Sequence, residues 1–265
     1  MSLLVLYIST LYNNSLPLLI FAYNGIPHIC MIIIGGIYIF KRYGFTINMK
    51  YVDFHILNSI FKIGILGLGA SISMFFISQS IPIIFSVTYK LNEVATYSVI
   101  MRLLNLVILF YTLMILPMWP AITDACVKKD IIWINKTLQK MRKYVYPSMV
   151  LLLLLFISCS KPVISWWTTS SIIPSMSLII VCSLFAGLYV WNTQVSVFLN
   201  GASLFKGQST YGLILAFLSF SIAYCLKTII SQEVIVIIIS IGFLVRNLCM
   251  EGELKYKLLN SHILK

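Results

Sequence analysis

Apolar positions in this chain come in long blocks, without the two-residue rhythm of half-buried strands. From Val94 to Leu116 run 23 largely apolar residues. At ~1.5 Å per residue that stretch is long enough to cross a ~30 Å hydrocarbon layer. Six more blocks have the same character: Leu16–Phe40, Ile60–Phe85, Pro147–Trp167, Ile172–Leu199, Ser209–Leu226 and Val234–Leu248. The pattern predicts an all-α polytopic transmembrane helix bundle with seven full spans, because no run of alternating ten-residue strands suggests a membrane barrel. Met1–Tyr12 is apolar but reaches only ~18 Å, and it is expected to be a partial helix broken at Asn13-Asn14. It lacks a basic leading segment and a small-residue cleavage pattern, which argues against a signal peptide.

Polar and helix-breaking residues punctuate these blocks. Asn24-Gly25 and Pro27 are expected to interrupt the first span, with His28 beside the break either as a packing residue or as a protonatable relay. Gly64, Gly67, Ser71 and Ser78 read as a small-residue face for close helix packing. Pro117 and Pro120 flank Trp119 and should end the third span at an interface. In Lys128–Val145, Ile131, Ile134, Leu138, Met141 and Val145 recur at helical spacing, with most of the lysines elsewhere on the wheel. A cationic amphipathic helix lying on the membrane surface is the expectation there.

Composition changes little in this picture, but charge gives it an orientation. Hydrophobic residues make up 60% and charged ones 10%, far below the ~25% charged of soluble domains, and mean hydropathy is +0.98. The net charge of +12 could suggest nucleic acid. Instead the basic residues follow topology, and no nucleic-acid partner is expected. Fifteen Lys and Arg fall in the segments after the first, third, fifth and seventh spans: Lys41, Arg42, Lys50, Lys62, Lys128, Lys129, Lys136, Lys140, Arg142, Lys143, Lys206, Arg246, Lys255, Lys257 and Lys265. Only Lys90, Lys161 and Lys227 lie in the alternate loops. That bias places the first set, and the C-terminus, in the cytoplasm. Six cysteines are scattered singly without metal or redox spacing, and no acid–histidine or phosphate-loop constellation appears. No enzyme activity, cofactor or metal is expected.

Two polar stripes remain. Ser98, Arg102, Asn105 and Thr112 fall at i, i+4, i+7 and i+14 on the third span, and Asn192, Ser196 and Asn200 at i, i+4 and i+8 on the fifth. A guanidinium at the depth of Arg102 costs ~2.5–3.5 kcal/mol to insert. It should therefore either pair inside the bundle to hold helices together or face a wet substrate pathway. The second reading makes Arg102, Ser98, Asn105, Thr112, Asn192 and Ser196 the candidate pathway residues.

The blocks YSVIMRLLNL, ILPMWPAITDA followed by Lys128–Asp130, and FLNGASLFKGQSTYGLI resemble the Wzx-type lipid-linked oligosaccharide flippases. These form the polysaccharide-transporter branch of the multidrug/oligosaccharidyl-lipid/polysaccharide exporter superfamily. The resemblance begins at the family's sixth helix, and its most specific part is the proline–tryptophan–proline block. It implies alternating-access translocation of undecaprenyl-pyrophosphate-linked repeat units across the bacterial inner membrane, for O-antigen or capsule synthesis. The implied partners are the lipid-linked oligosaccharide, membrane lipids, and an N-terminal half or a second copy. Five family helices have no counterpart here, so a fragment is expected. Residues 1–45 would be a partial helix plus the last helix of the first bundle, and 46–59 a cytoplasmic linker. Residues 60–250 would form the six-helix second bundle with the interfacial helix 128–145, leaving 251–265 as a cytoplasmic tail. Two alternatives stay open: an inactive or structural remnant, and a drug/cation antiporter of the same superfamily. The antiporter would want membrane-embedded carboxylates, whereas Glu93, Asp124 and Glu233 read as interfacial.

Overall fold

The computed structural model describes residues 16–44, 53–168 and 174–259. Regular structure there is helical: α1 Leu16–Tyr43, α2 Phe54–Thr88, α3 Leu91–Ile115, α4 Met118–Val127, α5 Ile131–Trp167, α6 Met176–Gly201, α7 Phe205–Leu226 and α8 Gln232–Glu253. A π-helical turn, Leu254–Leu259, continues α8. Among the described residues seven helical stretches are long and apolar enough to cross a membrane. The chain is thus an all-α, multi-pass membrane protein. The expected partial helix at Met1–Tyr12, the Asn13-Asn14 break, most of the linker at 46–59 and the end of the 251–265 tail lie outside the described residues.

Two compact units divide the chain, residues 1–57 and 58–265. The first contains α1, which runs unbroken through Asn24-Gly25 and Pro27. The expected interruption does not occur. Proline removes one hydrogen bond, but apolar surroundings offer the other backbone groups no better partner than the helix.

The second unit is organised around α6, whose side chains are buried on nearly every side, from Leu178 to Gly201. It packs against α3, α4, α5 and α8, and α7 packs against α8. Small residues bring helices close. A Cβ added at Gly69 on α2 would meet Ser209 Oγ of α7 at 2.1 Å, and one added at Gly242 on α8 would meet Ser219 Cβ of α7 at 2.6 Å. The packing face of α2 is thus Gly69, Ser73, Ile77 and Ser80, all buried. It is not the expected Gly64, Gly67, Ser71 and Ser78. Gly64 has open space around it, and Ser71 is exposed. Two small-residue stripes run along this helix two positions apart, and only the partner helix selects one.

Residues 128–145 also depart from expectation. They do not form a separate surface helix: α5 runs as 37 residues from Ile131 through Pro147 to Trp167. Asp130 caps its start by accepting a hydrogen bond from the Trp133 backbone N–H at 2.9 Å. Ile134 and Leu138 are only 1% and 2% exposed. The apolar stripe therefore faces protein, as α5 packs on α3, α4 and α6. At ~1.5 Å per residue such a helix is ~55 Å long, well beyond ~30 Å of hydrocarbon, so its lysine-bearing half projects past the apolar layer or the helix tilts strongly. The last span differs too. It continues past Leu248 to Glu253, which makes Arg246 a buried mid-helix residue and not part of the segment after the seventh span, where the charge count places it.

Candidate functional site

An open groove of about 770 Å³ runs along the second unit. Its walls come from Gly67–Met74 of α2, Asn105–Leu116 of α3, Trp119 of α4, Tyr189–Asn200 of α6, Phe205 and Gln208 of α7, and Arg246 of α8. Helical periodicity explains the polar lining. Asn192, Ser196 and Asn200 stand one turn apart on α6, and Asn105 and Thr112 two turns apart on α3. Each set forms a ladder facing the same space.

Most of these polar groups are held by one another. Asn192 Nδ2 donates to Asn247 Oδ1 at 2.8 Å, and Asn247 Nδ2 donates to the Leu188 carbonyl at 3.0 Å. Ser196 Oγ donates to Asn192 Oδ1 at 3.4 Å, and Gln208 Nε2 to Asn200 Oδ1 at 2.8 Å. The pairs fix side-chain amides at the groove wall and use both N–H groups of Asn192 and of Gln208 within the fold, which leaves the Asn200 amide and the hydroxyls to offer a ligand.

Among the described residues Arg246 is the one cation in the groove wall, and it is loosely held. It is 1% exposed, and its contacts are weak: a 3.4 Å hydrogen bond from Nη2 to Ser73 Oγ and a 3.9 Å approach of Nη1 to Met74 Sδ. The guanidinium carbon lies 6.0 Å from the Phe243 ring centre, and Nε has no hydrogen-bond partner. Among the described residues no carboxylate lies within ion-pairing distance of Arg246, and none lines the groove. Gly212 makes the space for it, since a Cβ there would sit 2.5 Å from Ser73 Oγ and 3.0 Å from Arg246 Nε.

No protein-family model, curated protein or solved structure matches the chain. What the groove can do must therefore be read from its own chemistry. It presents a cation held by neutral groups alone, amides and hydroxyls in rows, and the rings of Trp119 and Tyr189. That combination suits an anion carrying hydroxyl groups.

Of the residues singled out in the sequence, Asn105, Thr112, Asn192 and Ser196 meet in this one groove. Ser98 and Arg102 do not line it. Both are exposed, and the Ser98 hydroxyl donates to the Val94 carbonyl at 2.8 Å. Arg102 lies one turn beyond Asn105, toward the start of α3. Ser98 is nearly in phase with Asn105 and Thr112, so height along the helix separates them: the groove's α3 wall begins at Asn105 and runs to Leu116, and Ser98 and Arg102 lie before it. Arg246, Asn247, Gln208 and Tyr189 were not among the candidates. A signal for Arg246 was present: apolar residues resume at Leu248, Met250 and Leu254, so the span could extend past it. Ile239, Phe243, Arg246 and Met250 then share one face.

Proposed function

We propose that this chain moves an anionic, hydroxyl-rich lipid-linked saccharide across a membrane through the groove around Arg246. The supporting observation is the buried guanidinium without a carboxylate partner in a polar groove. Removing an unpaired cation from water is expensive, and an incoming pyrophosphate or acidic sugar would supply the missing charge. The amide and hydroxyl ladders would hold sugar hydroxyls. The resemblance to Wzx-type flippases names the substrate as an undecaprenyl-pyrophosphate-linked repeat unit for O-antigen or capsule synthesis. It names the bacterial inner membrane as the location, and the bias of Lys and Arg between alternate loops gives a cytoplasmic C-terminus as the orientation. In that orientation the groove occupies the cytoplasmic half of the bundle, where α3 and α6 end and α7 begins, and where such substrates are made. An antiporter of cationic drugs fits less well, because the groove offers a cation a like charge.

The test is uptake or flipping of a lipid-linked acidic saccharide in proteoliposomes containing the full chain. Losing a charge-assisted contact of ~1.5–3 kcal/mol predicts that Arg246→Gln lowers apparent affinity about ten- to a hundredfold. Arg246→Lys should retain part of it, since the charge survives while the fork geometry is lost. Equal transport by Arg246→Gln and the unmodified chain would overturn the proposal.

A further inference from the structure

A second cavity, of about 580 Å³, lies on the other side of α6 and α8 from the polar groove. α6 sends Asn192 and Ser196 to the groove but Leu184, Leu188 and Trp191 to this slot. Likewise α8 sends Arg246 one way and Ile237 and Leu244 the other. The third wall is α5, from Tyr146 to Leu153. Gly187 widens the slot: a Cβ there would already touch Leu153 Cδ1 at 3.3 Å and Met149 Cε at 3.7 Å. The interior is almost wholly apolar, apart from the Ser240 and Tyr146 hydroxyls, which are buried without a hydrogen-bond partner.

Its ends differ. Toward the start of α8 the apolar wall of Val181 and Ile237 gives way, one turn on, to the Glu233 carboxylate, which accepts from the Ser175 and Ser177 hydroxyls at 3.0 and 2.9 Å. At the other end, beyond Tyr146 and Trp191, charges gather. Trp191 Nε1 donates to Glu251 Oε2 at 3.0 Å, and Arg142 Nη2 to Glu251 Oε1 at 2.8 Å. Lys255 reaches the same carboxylate at 3.5 Å, and exposed Lys143 lies one turn before Tyr146 on α5. Two cations thus share one carboxylate, and exposed Lys143 adds a further positive charge where the slot meets the polar zone.

The geometry points to a binding site for an anionic phospholipid, with an acyl chain in the apolar slot and the phosphate at the Arg142–Lys143 end. An acyl chain needs a long apolar recess, and an anionic headgroup needs uncompensated cations at one end of it; both are present in that order along the helices. The site does not depend on the transport reading, because α6 and α8 separate it from the Arg246 groove.

The full chain, reconstituted in phosphatidylcholine nanodiscs, can be challenged with small amounts of phosphatidylglycerol or phosphatidylcholine bearing brominated acyl chains. Bromine in contact quenches Trp191, the tryptophan lining the slot; Trp191→Phe identifies its share of the signal. Brominated phosphatidylglycerol should quench Trp191 at lower content than brominated phosphatidylcholine. Lys143→Gln should reduce that preference about fivefold, matching the loss of one surface cation. Gly187→Leu and Ser240→Leu, which fill the slot from two walls, should each remove Trp191 quenching by either lipid. Equal quenching by the two headgroups, or quenching that survives in a folded filling variant, would overturn the site. So would displacement of the brominated lipid by an isoprenyl phosphate more readily than by phosphatidylglycerol, since the slot would then belong to the lipid carrier. Because Lys143 is exposed, its variant keeps the test decisive even where a slot-filling variant does not fold.

Discussion

A buried cation beside neutral groups alone tends to weaken the fold that holds it. Arg246 has a hydroxyl and a thioether as neighbours, and its Nε is unpaired. Replacing a buried ion with an apolar side chain of similar volume is often neutral or stabilising by ~1–4 kcal/mol. Arg246→Met should therefore leave the thermal unfolding midpoint unchanged or raised while transport is lost. A drop in that midpoint with transport retained would mark Arg246 as structural. Gly212 supplies a second check at this scale. Its Cα faces Ser73 and Arg246 so closely that Gly212→Ala must displace one of them. Overpacking of this kind costs ~1–3 kcal/mol, and Ser73→Gly in the same chain should restore part of it. A Gly212→Ala chain that unfolds like the unmodified one would contradict the packing described.

At the level of elements, α5 is the helix whose character changed most between sequence and structure. As one continuous helix it places Lys136 and Trp166 thirty residues apart along a single axis. Spin labels at those two exposed positions should report a separation of about 45 Å. A surface helix bent away at Pro147 would bring them much closer. The end of α5 nearest Lys136 is tied to α8 by the Arg142–Glu251 pair, only 26% and 17% exposed. Glu251→Gln leaves Arg142 without its anion and Trp191 with a weaker acceptor. A loss of ~1–3 kcal/mol in unfolding free energy is expected, whereas Asp124→Gln, in an exposed i,i+4 pair with Lys128, should change little.

Across the whole molecule, two recesses of opposite chemistry share the same two helices. One is polar with a buried cation, and the other is apolar with a cationic rim; on the proposed function this would keep a hydrophilic cargo apart from bilayer lipid. On the proposed orientation, Lys128–Lys143 face the cytoplasm. In a chain freed of its six native cysteines, a Cys at Lys136 should resist an impermeant thiol reagent applied to intact cells, while a Cys at Lys90 should react. The reverse pattern would invert the topology and put the Arg246 groove on the outer side.

The seven membrane-length spans and the all-α class were legible in the chain itself, because hydrocarbon leaves a backbone of that length and hydropathy few alternatives to a helix. The ladder of Asn192 and Ser196 and the pair Asn105 and Thr112 were legible for a related reason: polar residues in an apolar span stand out, and helical period assigns them a face. Tertiary structure decided what those faces meet. Whether α2 packs through Gly69 and Ser73 or through Gly67 and Ser71 depends on where Ser209 and Gly212 of α7 lie. The stripe of Ile134 and Leu138 has the same pattern whether it lies on lipid or on α3, α4 and α6, since both are apolar. Arg102 and Arg246 are each a guanidinium in an apolar helix. Neighbours distant in sequence, Ser73 and Gly212, enclose Arg246 in the groove, while Arg102 stays on the exposed face of α3.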